Sequence, residues 1–207
     1  MKRLLRVSFD NALISFIPIL SWFLLSIIID KNLINVFIVI TRRNANLMNE
    51  GKKFENNFKK SLGDYCVRLY DTTNGFAGVK NPCDFVYYFY PLMCMFELKS
   101  VKEDKLYFSN ISQNQWDSLT LHSKNFGTVA GVCVEFRCIR KAYFIPIQLL
   151  NIMKNGGSKS VSADYCKNME YIVEIPTYYK RTNFLIDSDI FEARIKANWI
   201  LIQEGGM

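Results

Sequence analysis

The apolar positions behind residue 48 follow helical and strand periods in turn. Phe54, Phe58 and Leu62 recur every four residues, and lysines occupy the other faces. This spacing is typical of an amphipathic helix that buries one stripe, so we predict a helix over 49–62. The helix is expected to end at Gly63, because glycine and the aspartate after it favour a turn.

The rest of the pattern consists of short apolar runs separated by turn residues. We predict a strand over 65–70, a loop over 71–81, a hairpin over 83–99, a polar connection over 100–107, a helix over 111–123 capped by Ser109, Asn110 or Ser112, strands over 127–136 and 141–147, a short helix over 146–153, a loop over 155–158 and a strand over 171–175. Elements in this order build an α/β sandwich with a mixed central sheet.

Two acids and a lysine stand out on the predicted hairpin. With its turn at Tyr90 and Pro91, Asp84 lies opposite Glu97, and facing Cβ atoms are about 4.5–5.5 Å apart. Lys99 returns to the face of Glu97, since side chains alternate along a strand. A divalent cation, Mg²⁺ or Mn²⁺, would offset the repulsion between the carboxylates. The alternative is a surface hairpin with ordinary ion pairs.

The same register sends a set of large apolar side chains to the opposite face. These residues are Phe85, Tyr87, Phe89, Phe96 and Leu98. We therefore expect one face of the hairpin to be charged and the other to pack into a core.

Composition excludes several classes of site. His122 is the only histidine, so one chain cannot build a multi-histidine metal cluster. The six cysteines show no C-x-x-C spacing, which favours buried thiols in a reducing compartment and a cytoplasmic protein. No phosphate-binding glycine motif is present. The net charge of +7 permits binding to nucleic acid.

The beginning of the chain differs from the rest. Residues 11–29 carry no charge and are long enough to cross a bilayer. Residues 1–47 are therefore an apolar extension with four open interpretations: a membrane anchor, a signal peptide, sequence upstream of a true start at Met48, or a buried helix. In each case 48–207 form the main domain.

The order of motifs resembles the RecU-type Holliday junction resolvases, including the phage versions, within the PD-(D/E)xK nuclease group. The matching residues are Gly51, Phe54, Glu55, Asp84, Phe85, Phe96, Glu97, Lys99, Leu106, Phe108, Ile111, Gln115, Val134–Phe136, Tyr143–Pro146 and Lys159–Val161. The resemblance implies a restriction-endonuclease-like core. It also implies cleavage of branched DNA in recombination and repair.

The resemblance further implies roles at the paired acids. Asp84 and Glu97 would bind Mg²⁺, with the carbonyl of Leu98 as a further ligand. Lys99 would position and help deprotonate the attacking water, or balance charge on the scissile phosphate. Metal-assisted in-line hydrolysis needs such a set.

Two more site residues follow from the resemblance. Glu55 resembles an additional acid of the family, and its alternative role is an i,i+4 ion pair with Lys59. Gln115 resembles a helix glutamine that supports the active site, and its alternative is a solvent-exposed amide. Trp116 beside it is interpreted as a core residue.

Four lysines are candidate contacts to DNA phosphates, namely Lys80, Lys102, Lys154 and Lys159. Such contacts give affinity without reading sequence, which suits an enzyme that recognises the shape of a junction. Two symmetric nicks across a junction need two active sites, so we expect a homodimer.

The chain departs from the family in its apolar extension over 1–47 and in two further features. Only Asp71–Asn81 could serve as the projecting stalk of these resolvases, and Cys83 stands where a small hydroxyl residue would suit a metal site. Two other functions therefore stay open: another PD-(D/E)xK nuclease of restriction or repair type, and a non-catalytic, membrane-attached DNA-binding protein.

Overall fold

The structure is a computed structural model that describes residues 50–69, 81–180 and 183–205. The extension over 1–47 and most of the predicted loop, with Lys80, lie outside these ranges, so the predictions made for them stay predictions. Within the described part of the chain, no helix is both long and apolar enough to cross a bilayer.

The described residues form ten strands and five α-helices. The strands are β1 (Cys66–Arg68), β2 (Phe85–Phe89), β3 (Leu92–Val101), β4 (Lys105–Tyr107), β5 (Thr128–Phe136), β6 (Lys141–Pro146), β7 (Ser160–Ser162), β8 (Val173–Ile175), β9 (Thr177–Lys180) and β10 (Asn183–Ile186). The helices are α1 (50–62), α2 (Gln113–His122), α3 (Ile147–Asn155), α4 (Ala163–Asn168) and α5 (Ser188–Gly205).

Six strands build the central sheet in the order β1-β2-β3-β5-β6-β8. β3 and β5 run parallel, whereas the other neighbouring pairs of this sheet are antiparallel. The predicted α/β fold with a mixed sheet is therefore confirmed. Two small ladders, β4 with β7 and β9 with β10, accompany it.

Helices cover both faces of the sheet. On one face, Phe54 and Phe58 of α1 and Phe191 of α5 pack into a core with Phe96. On the other face, α2, α3 and α4 cover a second core that contains Val132. The predicted apolar stripe of α1 is confirmed, because its side chains are almost fully buried.

The hairpin of β2 and β3 has the predicted register, with Phe85 paired to Phe96 and Phe89 paired to Leu92. Its predicted core-facing side chains pack in the first core. The expectation that the opposite face is charged was wrong. Met95 on that face packs in the second core, to which α2 and α3 also contribute. Charge is therefore confined to the ends of the strands.

Two further predictions were incomplete or wrong. The supposed polar connection over 100–107 contains the end of β3 and all of β4, in which Leu106 is fully buried opposite Val161 of β7. The pattern concealed this strand because three residues show almost no period. The segments β7, α4, β9, β10 and α5 were also missed, although Phe191 and Ile195 have helical spacing.

We predict that Phe58→Ala lowers the free energy of unfolding by about 3–5 kcal/mol, because a large ring is lost from a packed interior. Phe58 is 0% exposed and contacts the rings of Phe54, Phe85, Phe96 and Phe191. Denaturation in urea measures the loss. Leu121→Ala is the control, since Leu121 is exposed and should change stability by less than about 0.5 kcal/mol. Equal effects would contradict the proposed core.

Candidate active site

Asp84 and Glu97 meet where β2 begins and β3 approaches its end. The backbone amide of Asp84 donates to the carbonyl of Phe96 at 3.1 Å. The amide of Leu98 is the next one along β3 that faces β2, and it donates to Oδ2 of Asp84 at 2.8 Å. The Asp84 side chain thus takes the position that a backbone acceptor would hold in a regular ladder, which keeps its carboxylate at the edge of β3.

Glu97 is a buried carboxylate whose two oxygens differ. Its side chain is 1% exposed. Oε1 accepts from Nζ of Lys99 at 2.7 Å and from Nε2 of Gln115 at 2.7 Å. Oε2 is buried and has no hydrogen-bond partner among the described residues. A buried acceptor without a partner is costly, so this oxygen is suited to a ligand.

Burial raises the pKa of Glu97 to about 8, and the negative charge of Asp84 acts in the same direction. Lys99 lowers this pKa by its charge and its hydrogen bond, but these effects do not outweigh the loss of hydration. A buried carboxylate beside a second, half-buried carboxylate strongly favours a positive charge between them.

The first turn of α2 supports both acids. Ser112 caps this helix, as one of the three predicted caps, in a capping box with Gln115. The Nδ2 group of Asn114 donates to the carbonyl of Asn81 at 3.2 Å, shortly before Asp84 in the chain. Gln115 donates to Oε1 of Glu97, so it is not the solvent-exposed amide that was the alternative. Its functional role stays a prediction.

Glu55 forms an ion pair with Arg68 of β1. The alternative pairing with Lys59 is not formed, since Nζ of Lys59 donates to the carbonyls of Gly63 and Cys66. Burial raises the pKa of Glu55, Arg68 lowers it and Asp84 raises it, so Glu55 lies within electrostatic reach of the paired acids. Its role as an additional acid stays a prediction.

Arg68 is a site neighbour that sequence reasoning missed. It is paired with Phe85 in the β1–β2 ladder, one residue from Asp84. No local motif marks it, because its position depends on which strand β1 joins. Asn114 was missed for a related reason, since its contact joins residues far apart in the chain.

The donor set fits a hard divalent cation. The carboxylate of Asp84 and Oε2 of Glu97 are oxygen ligands of the kind that Mg²⁺ and Mn²⁺ prefer. The carbonyl of Leu98 lies on the same edge of β3 as its amide, which contacts Asp84. Among the described residues, no three His, Cys, Asp or Glu side chains form a metal-binding group. Water and substrate would supply further ligands, as is usual for Mg²⁺.

Cys83 is not part of this donor set. Its side chain belongs to the second core, and its Sγ donates to the carbonyl of Phe85 at 3.3 Å. Burial raises the pKa of Cys83 to about 12. All six cysteines are free thiols.

Three of the four candidate DNA-binding lysines, Lys102, Lys154 and Lys159, are described and exposed. Nζ of Lys154 lies 4.1 Å from the ring centroid of Trp116, which is a buried core residue as interpreted. Lys154 and Lys159 line an open groove of about 500 Å³ with Tyr107.

Comparisons with known proteins agree with the sequence resemblance. Residues 49–185 match the family model of RecU, Recombination protein U, and the chain belongs to this family. Membership supports Holliday junction resolution as the activity of this chain. A protein with this activity is a nuclease.

The solved structures that match include Hjc from Archaeoglobus fulgidus, a Holliday junction resolvase from an archaeal hyperthermophile. The two chains are 21% identical, the match covers 74% of this chain and 92% of Hjc, and the TM-score is 0.33. A search of curated protein sequences finds no match.

We predict that Glu97→Gln raises stability relative to the parent chain as the pH rises in the absence of divalent cations. The folded-state pKa, about 8, exceeds the ordinary value of 4.5, so between these values the folded state binds a proton that the unfolded state has lost. The parent chain therefore loses stability as the pH rises through this window, whereas a glutamine does not titrate.

Denaturation of both proteins in EDTA from pH 4 to pH 9 tests this. The stability difference should grow in favour of the variant up to about pH 8 and then level off. A difference that is independent of pH would contradict the raised pKa.

Proposed function

We propose that this protein is a Mg²⁺- or Mn²⁺-dependent endonuclease that resolves Holliday junctions and other branched DNA in recombination and repair. One observation carries the proposal beyond family membership: the carboxylate of Glu97 lies beside Asp84, and one of its oxygens accepts from Lys99 while the other is buried without a partner. This is the donor set that metal-assisted phosphodiester hydrolysis requires.

Asp84, Glu97 and the carbonyl of Leu98 would hold the cation. When bound, it would lower the pKa of water and stabilise negative charge on the phosphate that is attacked. Asp84 is oriented for this role by the amide of Leu98, and Glu97 by Gln115 and Lys99. Neither carboxylate needs to reorganise when substrate arrives, because both are already fixed.

Lys99 provides the positive group of the site. Its ammonium is 2.7 Å from Oε1 of Glu97, and its side chain is 23% exposed, so it can reach solvent without leaving the acid. From there it can orient the attacking water, accept its proton after losing its own to solvent, or neutralise charge on the scissile phosphate.

The substrate class follows from family and charge. Lys102, Lys154 and Lys159 are exposed and can contact phosphates, while no base-reading motif is evident in the sequence. We propose recognition of junction shape by a homodimer, because two active sites are needed for paired nicks. Free thiols are compatible with action in the cytoplasm.

The first prediction of this proposal concerns cleavage by the full-length chain. A four-way junction should be cleaved in Mg²⁺ but not in EDTA, and faster than a linear duplex of the same sequence. Asp84→Asn and Glu97→Gln should each lower the rate at least about a hundredfold, because charge stabilisation worth several kcal/mol is lost. Both variants should still bind DNA in a gel-shift assay with Ca²⁺.

Glu174→Gln is the matched control, since Glu174 of β8, at the edge of the sheet beyond β5 and β6, forms an ion pair with Lys141 of β6. Equal cleavage of both substrates would instead indicate a restriction- or repair-type nuclease. DNA binding without cleavage by the parent chain would indicate a non-catalytic binding protein.

A second prediction concerns the exposed lysines. Lys102→Met, Lys154→Met and Lys159→Met should each weaken junction binding and reduce the slope of log Kobs against log salt by about 1, as one phosphate contact is lost. Fluorescence anisotropy between low and high salt measures the slope. Lys124→Met is the control, because Lys124 lies near the opposite end of β3. Unchanged slopes for all three variants would exclude these contacts.

A further inference from the structure

We propose that Ser112 is a positioning residue of the cation site, which fixes the orientation of the Gln115 amide and thereby decides which oxygen of Glu97 is available. The proposal rests on the proposed function, in which Glu97 binds the cation. It concerns Ser112 itself, which has no contact with either acid among the hydrogen bonds described above.

Ser112 and Gln115 are joined by three hydrogen bonds at the start of α2. The backbone amide of Ser112 donates to Oε1 of Gln115 at 3.0 Å, and the hydroxyl of Ser112 donates to the same oxygen at 2.9 Å. The backbone amide of Gln115 donates to Oγ of Ser112 at 3.3 Å. The hydroxyl therefore uses both its donor and an acceptor position within the cap.

These bonds permit only one orientation of the Gln115 amide. A backbone amide can only donate, so it requires Oε1 of Gln115 on the side of Ser112. A carboxylate that binds a cation is ionised and can only accept, so in that state Glu97 requires Nε2 of Gln115 on its side, where the structure has it 2.7 Å from Oε1. Rotation of the amide by half a turn would place oxygen against oxygen at Glu97 and two donors together at Ser112.

The orientation of the Gln115 amide determines the hydrogen bonding of Glu97 at the cation site. With Nε2 held against it, Oε1 of Glu97 has two donors, Gln115 and Lys99. Oε2 is left as the buried oxygen without a partner, beside Asp84. If the Gln115 amide could turn, Oε1 would lose a donor and the carboxylate could rotate. Ser112 therefore maintains a difference between the two oxygens that favours cation binding.

Three substitutions separate the contributions of the Ser112 hydroxyl and the Ser112 backbone amide. Ser112→Ala removes the hydroxyl and keeps the amide. Ser112→Pro removes both, and the backbone accepts it because Ser112 has φ −65° and Ile111 is extended at φ −105° and ψ 119°. Ser112→Thr keeps both groups and is the conservative rescue.

The test is the affinity of the full-length chain for Mn²⁺ without DNA, measured by electron paramagnetic resonance, alongside thermal unfolding by circular dichroism. We expect Ser112→Pro to weaken Mn²⁺ binding about tenfold, as is usual for loss of an outer contact to a ligand, Ser112→Ala to weaken it less, and Ser112→Thr to restore it.

A double-mutant cycle separates positioning from helix capping. Gln115→Met has a similar shape but cannot form the amide hydrogen bonds. In that background Ser112→Ala should leave Mn²⁺ affinity unchanged while still lowering the unfolding temperature, because the cap remains lost. If Ser112→Ala weakened Mn²⁺ binding equally in both backgrounds, or if neither Ser112→Ala nor Ser112→Pro weakened it, the inference would be overturned.

Failure of the proposed function has a different signature. In that case the parent chain would neither bind Mn²⁺ nor cleave junctions, and the inference would fall with it. If the parent chain binds Mn²⁺, Glu97→Gln abolishes binding and the Ser112 variants bind normally, only the role of Ser112 is wrong.

Discussion

Burial of the Glu97 carboxylate beside Asp84 is the constraint on which the site depends. A protein gains nothing in stability from two acids at the end of a buried strand, since burial and like charge both oppose ionisation. Here burial and Asp84 raise the pKa of Glu97 to about 8. The fold tolerates this arrangement because its two apolar cores are extensive. A bound cation would turn the unfavourable interaction into a favourable one.

The surrounding elements hold this arrangement from three directions. Asp84 directly precedes β2 and β3 supplies Glu97 and Lys99, while β5 fixes the other edge of β3 by parallel pairing. The first turn of α2 contacts the strand residue Glu97 through Gln115 and the segment before β2 through Asn114. Contacts to β3 and α2 therefore hold the donors of the site in place, which suits catalysis by preorganised charge.

The local parts of this arrangement could be predicted from the sequence. A strand has a period of two, so once the turn at Tyr90 and Pro91 was identified, the register of the hairpin and the positions of Asp84, Glu97 and Lys99 followed. The period of α1 was equally clear. Gln115 came from a resemblance to a family, and its bond to Glu97 could only be seen once α2 was packed on the sheet.

Interactions between distant segments could not be predicted. The partner of Glu55 was expected four residues away, but it is Arg68 on a strand whose place in the sheet has no local signal. The face of the hairpin that was expected to be charged carries Met95, which packs in the second core because helices later in the chain cover that part of the sheet. Three-residue strands such as β4 and β7 are too short to show a period, and they form only because they pair with each other.

The most direct test of the central claim is X-ray diffraction from crystals grown with Mn²⁺, with data collected at its absorption edge. An anomalous peak bounded by the carboxylate of Asp84, Oε2 of Glu97 and the carbonyl of Leu98 is the predicted result. A structure in which these carboxylates point apart, or in which Mn²⁺ binds elsewhere and leaves this pair without an ion, would contradict it.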